Sequence, residues 1–201
     1  MLGILAAAIW LLAAAAHGQA EADTADPGED PSPRIESFHA ALLEAMRSND
    51  AYDVRFASLS PVVGEVFDVP TIARISLGRT WKSLDEPARA QFCELLEELI
   101  TATYTDRFDS YSGQTFHLLS AEPARRGWVV KTELEKSDGE RVSLDYYFRG
   151  SRVFNVVADG VSDLSLRRAD YNSIVKQEGY DRLLAHIRDS IAEYEAGGTD
   201  G

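Results

Sequence analysis

The chain has 201 residues, 45% of them hydrophobic, and 20 basic against 33 acidic side chains give a net charge of −13. That balance leaves no basic patch for a nucleic-acid backbone and disfavours adhesion to an anionic bilayer by charge, while the length suffices for one domain with a sizeable core. The single cysteine, Cys93, excludes an intrachain disulfide; beside Phe92 and Leu95 in a helical pattern, it is expected to be a small buried apolar residue.

Residues 1–16 are almost entirely Ala, Leu and Ile, and uncharged. The run is shorter than the roughly 20 apolar residues a spanning helix needs. His17-Gly18-Gln19-Ala20 follows, with small residues where a signal peptidase cuts. Residues 1–20 are therefore expected to be a secretory signal peptide, cleaved after Ala20 or after Gly18. No Lys or Arg precedes the apolar stretch, and a retained membrane tether is the alternative. Residues 21–33 are acidic, rich in Pro, Gly and Ala, and expected as a disordered leader. That leaves 34–195 as the folded domain and 196–201 as a flexible tail.

Within the domain, Ile35, Phe38, Leu42, Leu43 and Met46 recur at helical spacing and predict a first amphipathic helix. A second apolar segment runs from Tyr52 to Phe67, with Pro61 kinking or dividing it. Pro70 can open a short helix that stops at Gly78. Ser83-Leu84-Asp85-Glu86 matches a capping box and predicts the longest helix, to about Phe108. Its wide stripe of Phe92, Leu95, Leu96, Leu99, Ile100 and Tyr104 implies packing on two surfaces, or the lining of a space.

Four strands are expected next, at about 114–120, 127–136, 141–149 and 152–159. Ser137-Asp138-Gly139 makes a tight turn between the second and third, and Arg149-Gly150-Ser151 one between the third and fourth. Val142, Leu144, Tyr146 and Phe148 alternate with polar residues, as do Trp128, Val130, Thr132 and Leu134 in the preceding strand. Short connections make an antiparallel meander with one face to solvent. Two helices close the chain, at about 168–177 and 180–194. Helices beside an antiparallel sheet predict an α+β domain, a helical shell on a bent four-stranded sheet, with any pocket between them.

Catalytic signatures are weak. His39, His117 and His186 are scattered, with no second His or Cys at ligand spacing, so neither metal nor cofactor is expected. No nucleophile elbow or phosphate loop is present. Asp159-Gly160-Val161-Ser162-Asp163 gathers carboxylates, but too few at calcium spacing; the plainer reading is a strand end followed by a helix cap at Asp163 or Ser165.

An ordered set of motifs runs through Phe67-Asp68, Ala73-Arg74, Leu77-Gly78 and Trp81, then Phe92, Leu99, Thr103-Tyr104 and Tyr111. It resumes at Trp128-Val129-Val130, Asp145-Tyr146 and 156–162, and closes with Tyr171, Ile174, Gly179 and Leu183. The set resembles the MlaC family, the periplasmic components of a phospholipid transport system. The resemblance implies a non-enzymatic carrier whose apolar cavity takes acyl chains, without any charge clamp, while the headgroup stays near the mouth. The stretch Asp159 to Tyr171 looks more like the hopanoid-associated branch. The implied cargo is thus a phospholipid or a hopanoid. The implied partners are an inner-membrane transporter, ABC-type or RND-type, and an outer-membrane lipoprotein.

On strand and helix parity, the candidate lipid-binding residues are Ile72, Ile75, Trp81, Phe92, Leu96, Leu99, Trp128, Val130, Leu144, Tyr146, Phe148 and Val156. Two other readings stand beside the carrier. One is an isoprenoid- or lipid-modifying enzyme with Asp145, His117 or Asp159 as acid or base. The other is a periplasmic adaptor whose interior is only a core.

Overall fold

The computed structural model describes residues 28–197. The expected signal peptide, most of the acidic leader and residues 198–201 lie outside that range. Five helices come first: α1 (Ser32–Ser48), α2 (Tyr52–Val66), α3 (Val69–Leu77), α4 (Arg79–Ser83) and α5 (Glu86–Arg107). The sheet follows as β1 (Thr115–Ala124), β2 (Gly127–Glu135), β3 (Arg141–Arg149), β4 (Arg152–Ala158) and β5 (Val161–Ser162). Helices α6 (Asp163–Glu178) and α7 (Tyr180–Gly197) close the chain. No helix among the described residues is long and apolar enough to cross a membrane.

Several boundaries differ from the sequence expectation, each for a local reason. Ser32 and Pro33 are already helical, because Asp30 Oδ1 accepts from the Ser32 N–H (2.8 Å) and hydroxyl (2.6 Å) at the entry to α1. Pro61 does not divide α2. It and Ala57 are exposed, so the carbonyl that loses its helical partner can turn to water. Asp85, not Ser83, caps α5, accepting from the Ala88 N–H at 2.9 Å. The Ser83 hydroxyl instead donates to the Thr80 carbonyl, because α4 occupies the residues a capping box would need.

The last two helices show the same effect. α6 begins five residues earlier than its apolar pattern suggests, at Asp163, and Ser162 is its cap, accepting from the Ser165 N–H at 3.1 Å. Asn155 of β4 also accepts from the Ser162 hydroxyl and the Leu164 N–H, which satisfies an orphan donor of the first turn. α7 extends through Ala196 and Gly197.

The sheet is antiparallel throughout, ordered β1-β2-β3-β4-β5, so a two-residue fifth strand extends the expected four. Two bulges bend it. Leu119 has no partner in the β1–β2 register, and Phe154 none in β3–β4. Asp159 and Gly160 turn the chain into β5 with positive φ at both residues (48° and 78°). The Asp159 carboxylate holds that turn by accepting from the Ser143 N–H (2.8 Å) and hydroxyl (3.2 Å).

One core joins all layers. Ile35, Phe38 and Leu42 of α1, Leu59 and Val63 of α2, Phe92 and Leu96 of α5, and Leu183 and Ile187 of α7 are buried together with Val130, Tyr146 and Val153 of the sheet. The α2–α3 junction is stitched to the sheet directly: Phe67 bridges Val153, and the Asp68 N–H donates to the Val153 carbonyl at 2.8 Å. That contact seals one end of the sheet's apolar face. The other end, toward the β2–β3 hairpin, is left to form a cavity.

Candidate functional site

The cavity lies between the C-terminal turns of α5 and the inner face of β2–β4, with a volume of about 270 Å³. Helix α5 presents Ile100 and Tyr104, its C-cap presents Phe108 one turn on, and the sheet presents Leu134, Val142, Leu144, Tyr146, Phe154, Val156 and Ala158. Phe67 and Ile72 close the side toward α3. Beyond the phenols of Tyr104 and Tyr146, its polar lining is confined to Thr103, Arg107, Asn155, Asp163 and Arg167.

Aromatic packing makes the floor rigid. The Phe38 ring meets Tyr104 edge-on at 5.0 Å, Phe67 at 5.6 Å and Tyr146 at 6.4 Å. Behind Tyr146 stands His39, whose ring stacks on Phe116 at 3.9 Å. Burial pushes the His39 pKa down to about 4, so the imidazole is neutral at neutral pH. Burial also raises the Tyr104 and Tyr146 phenols well above their ordinary range. Every titratable group in the floor is therefore uncharged, which suits an apolar guest.

A second, more open chamber of about 230 Å³ adjoins the first. Thr103, Arg107, Asp163 and Arg167 belong to the walls of both. Arg167 reaches Asp163 at 3.1 Å and donates to the Tyr171 hydroxyl at 3.0 Å. Leu99, Leu166, Asp170, His186, Ile187, Ser190 and Tyr194 complete the outer chamber, with His186 3.7 Å from Asp170.

Of the residues expected from sequence parity, Ile72, Leu144, Tyr146 and Val156 come together in the inner cavity. Leu99 lines the outer chamber. Phe92, Leu96, Val130 and Phe148 are instead buried in the core. Phe92 packs edge-on against Tyr171, while Val130 and Phe148 lie toward the sheet end that Phe67 and Val153 seal. Ile75, Trp81 and Trp128 are half-buried at the core's margin, with Arg89 lying over the Trp81 ring at 5.4 Å.

Parity identifies the inward face of an element but not how far along that face a cavity extends. The same limit hid Ile100, Tyr104 and Phe108, although their i, i+4 spacing in the long helix was the available signal. Phe154 and Asn155 both reach the cavity wall because of the β4 bulge, which carries no sequence signature.

The groups considered for acid–base chemistry have structural partners or lie outside the cavity wall. His117 Nε2 pairs with Glu135 at 3.0 Å on the polar face of the sheet. Asp159 holds its turn. Asp145 lies across from Lys131 in the strand register, and partial burial raises its pKa. Cys93 is half-buried rather than buried, and desolvation followed by neighbouring carboxylates raises its thiol pKa, which disfavours the thiolate. Among the described residues no group of His, Cys, Asp and Glu is arranged to hold a metal ion.

The sequence model of the MlaC protein family matches residues 36–189. Among solved structures, the chain is similar to a phospholipid-binding protein from Ralstonia solanacearum in complex with a phospholipid. The two align with a TM-score of 0.69 at 17% identity, over 83% of this chain and 99% of the other. At that identity the likeness is one of fold.

Proposed function

This chain belongs to the MlaC family, and from that premise we propose that it is a periplasmic carrier that shuttles a phospholipid between membrane transport components. The observation that carries the reading is the inner cavity, walled mainly by apolar and aromatic side chains, with its charged groups limited to Arg107, Asp163 and Arg167. One acyl chain of about 14 methylenes, at about 0.8 kcal/mol each, gains about 11 kcal/mol on leaving water, before ordering costs. Relative to water, a gain of that size holds the chain in the cavity during transit, and the carrier reading asks only for binding and release.

Secretion through the N-terminal apolar segment would place the carrier in the periplasm. There it would receive its cargo from, or hand it to, an inner-membrane transporter of the ABC or RND type and an outer-membrane lipoprotein. The phospholipid bound to the Ralstonia solanacearum protein supports the cargo class.

A hopanoid is the second reading. Residues 159–171, which resemble the hopanoid-associated branch, supply β5, the first turns of α6, and the Asp163 and Arg167 walls of both chambers. Mass spectrometry of the native protein, with extraction and identification of its lipid, tests the proposal. A co-purifying phospholipid is expected, a hopanoid would replace the cargo, and persistently lipid-free protein that takes up none from vesicles would overturn the carrier reading.

A further inference from the structure

We propose that Arg107, with Arg167 beside it on the wall shared by the two chambers, forms a subsite for the phosphodiester of a glycerophospholipid. The inner chamber takes the apolar chain and the outer chamber the headgroup. This rests on the carrier reading above and gives it a headgroup chemistry.

Charge pairing around the outer chamber points to Arg107. Asp163 is paired with Arg167, Asp170 sits 3.7 Å from His186 in the outer chamber alone, and the Ser190 hydroxyl donates to the His186 carbonyl. Thr103 donates its hydroxyl proton to the Leu99 carbonyl at 2.7 Å. Arg107 lies in the last turn of α5 with no hydrogen bond or ion pair among the described residues. Of the three charged residues in both chamber walls, Arg107, Asp163 and Arg167, only Asp163 and Arg167 pair with each other, so the unpaired charge at the junction is a guanidinium. A guanidinium matches a phosphate oxygen pair with two parallel N–H donors.

A lipid whose chain enters between α5 and β3 must bring the group next to its glycerol past this wall. Arg167 is held in place by Asp163 and Tyr171, which leaves it a positioned second cation rather than a free one. A polycyclic alcohol offers no anion to either arginine. The subsite therefore favours a phospholipid over a hopanoid.

The test compares binding of dioctanoyl phosphatidylglycerol and dioctanoylglycerol, which share their chains and differ in the phosphodiester headgroup. Delipidated full-length protein is used in three forms: wild type, Arg107→Gln and Asp163→Asn. Wild type should prefer the phosphodiester lipid by about tenfold or more. Arg107→Gln should bring the ratio close to one. Asp163→Asn, which frees Arg167 from its carboxylate, should raise it. Arg107→Lys, which keeps the charge but loses the fork, should fall between and serves if the Gln variant does not fold.

Equal binding of both lipids, or a ratio that neither substitution moves, overturns the subsite and leaves the carrier standing. Failure to bind either lipid overturns both. Displacement of the phosphodiester lipid by millimolar inorganic phosphate would make this a free-phosphate site and would also overturn the headgroup assignment.

Discussion

His39 Nε2 and Tyr146 Oη lie 3.0 Å apart in the interior, a hydrogen bond that ties α1 to β3 across 107 positions of sequence. Tyr146 is part of the cavity wall, so the imidazole braces that wall from behind, while its own ring is clamped against Phe116. A buried hydrogen bond of this kind contributes modestly when made and costs more when one partner is lost.

The pair sets a pH dependence. The folded pKa of His39 is about 4, against 6.5 for the ordinary side chain. Between those values the unfolded chain binds a proton that the folded chain refuses. The stability owed to a neutral His39 is fully present above pH 6.5 and is lost as pH falls toward 4. Denaturant unfolding at pH 5 should give a stability lower than at pH 7.5 by on the order of 1–2 kcal/mol from this residue. His39→Phe should remove most of that difference, at the cost of leaving the Tyr146 hydroxyl unpartnered. An unchanged pH slope in the variant would refute the assignment.

Two tryptophan substitutions separate cavity from core. Val156 is half-buried and lines the inner chamber, so Val156→Trp should fill it and block lipid uptake while the protein still folds. Val130 is fully buried opposite Tyr146, and Val130→Trp should overpack the core and destabilise by about 1–3 kcal/mol or more. Thermal melting beside an uptake assay reads both; uptake retained by folded Val156→Trp protein would show that the chain does not use this space.

Helix capping gives a stability prediction with an internal control. Asp85→Ala should cost about 1 kcal/mol, because the Ala88 N–H loses its acceptor. Ser83→Ala, at the position a capping box would assign, should stay within about 0.5 kcal/mol of wild type. Urea titrations of the two variants decide, and the reverse order of effects would restore Ser83 as the cap.

Gly127 begins β2 with φ +150°, and a Cβ there would collide with the carbonyl oxygen of Phe148 on β3. Neither atom can yield without opening the strand pair. Gly127→Ala should therefore destabilise by about 2 kcal/mol or more, measured by denaturant unfolding. A loss below about 0.5 kcal/mol would mean that the two strands are free to separate at this end.

The α+β architecture was legible from the chain itself, because it follows from local periodicity. The α5 stripe, the alternation around Tyr146 and the Asp138-Gly139 turn each specify an element and its apolar face. Element starts were less legible. The α5 and α6 caps depend on which residue's side chain reaches the first free N–H, and neighbouring elements decide that: α4 takes Ser83 away, and Asn155 of β4 helps to start α6 at Asp163.

For the site, sequence parity supplied the inward faces that Ile72, Leu144, Tyr146 and Val156 occupy. Only the tertiary structure decided where that interior is filled and where it is open. The Phe67–Val153 bridge closes one end over Val130 and Phe148, while the bulge at Phe154 shapes the other. The meeting of Arg107 on α5 with Asp163 and Arg167 on α6 likewise has no trace in the chain order. Periodicity is a property of neighbours in sequence, whereas a cavity and its charges are made by residues that only packing brings together.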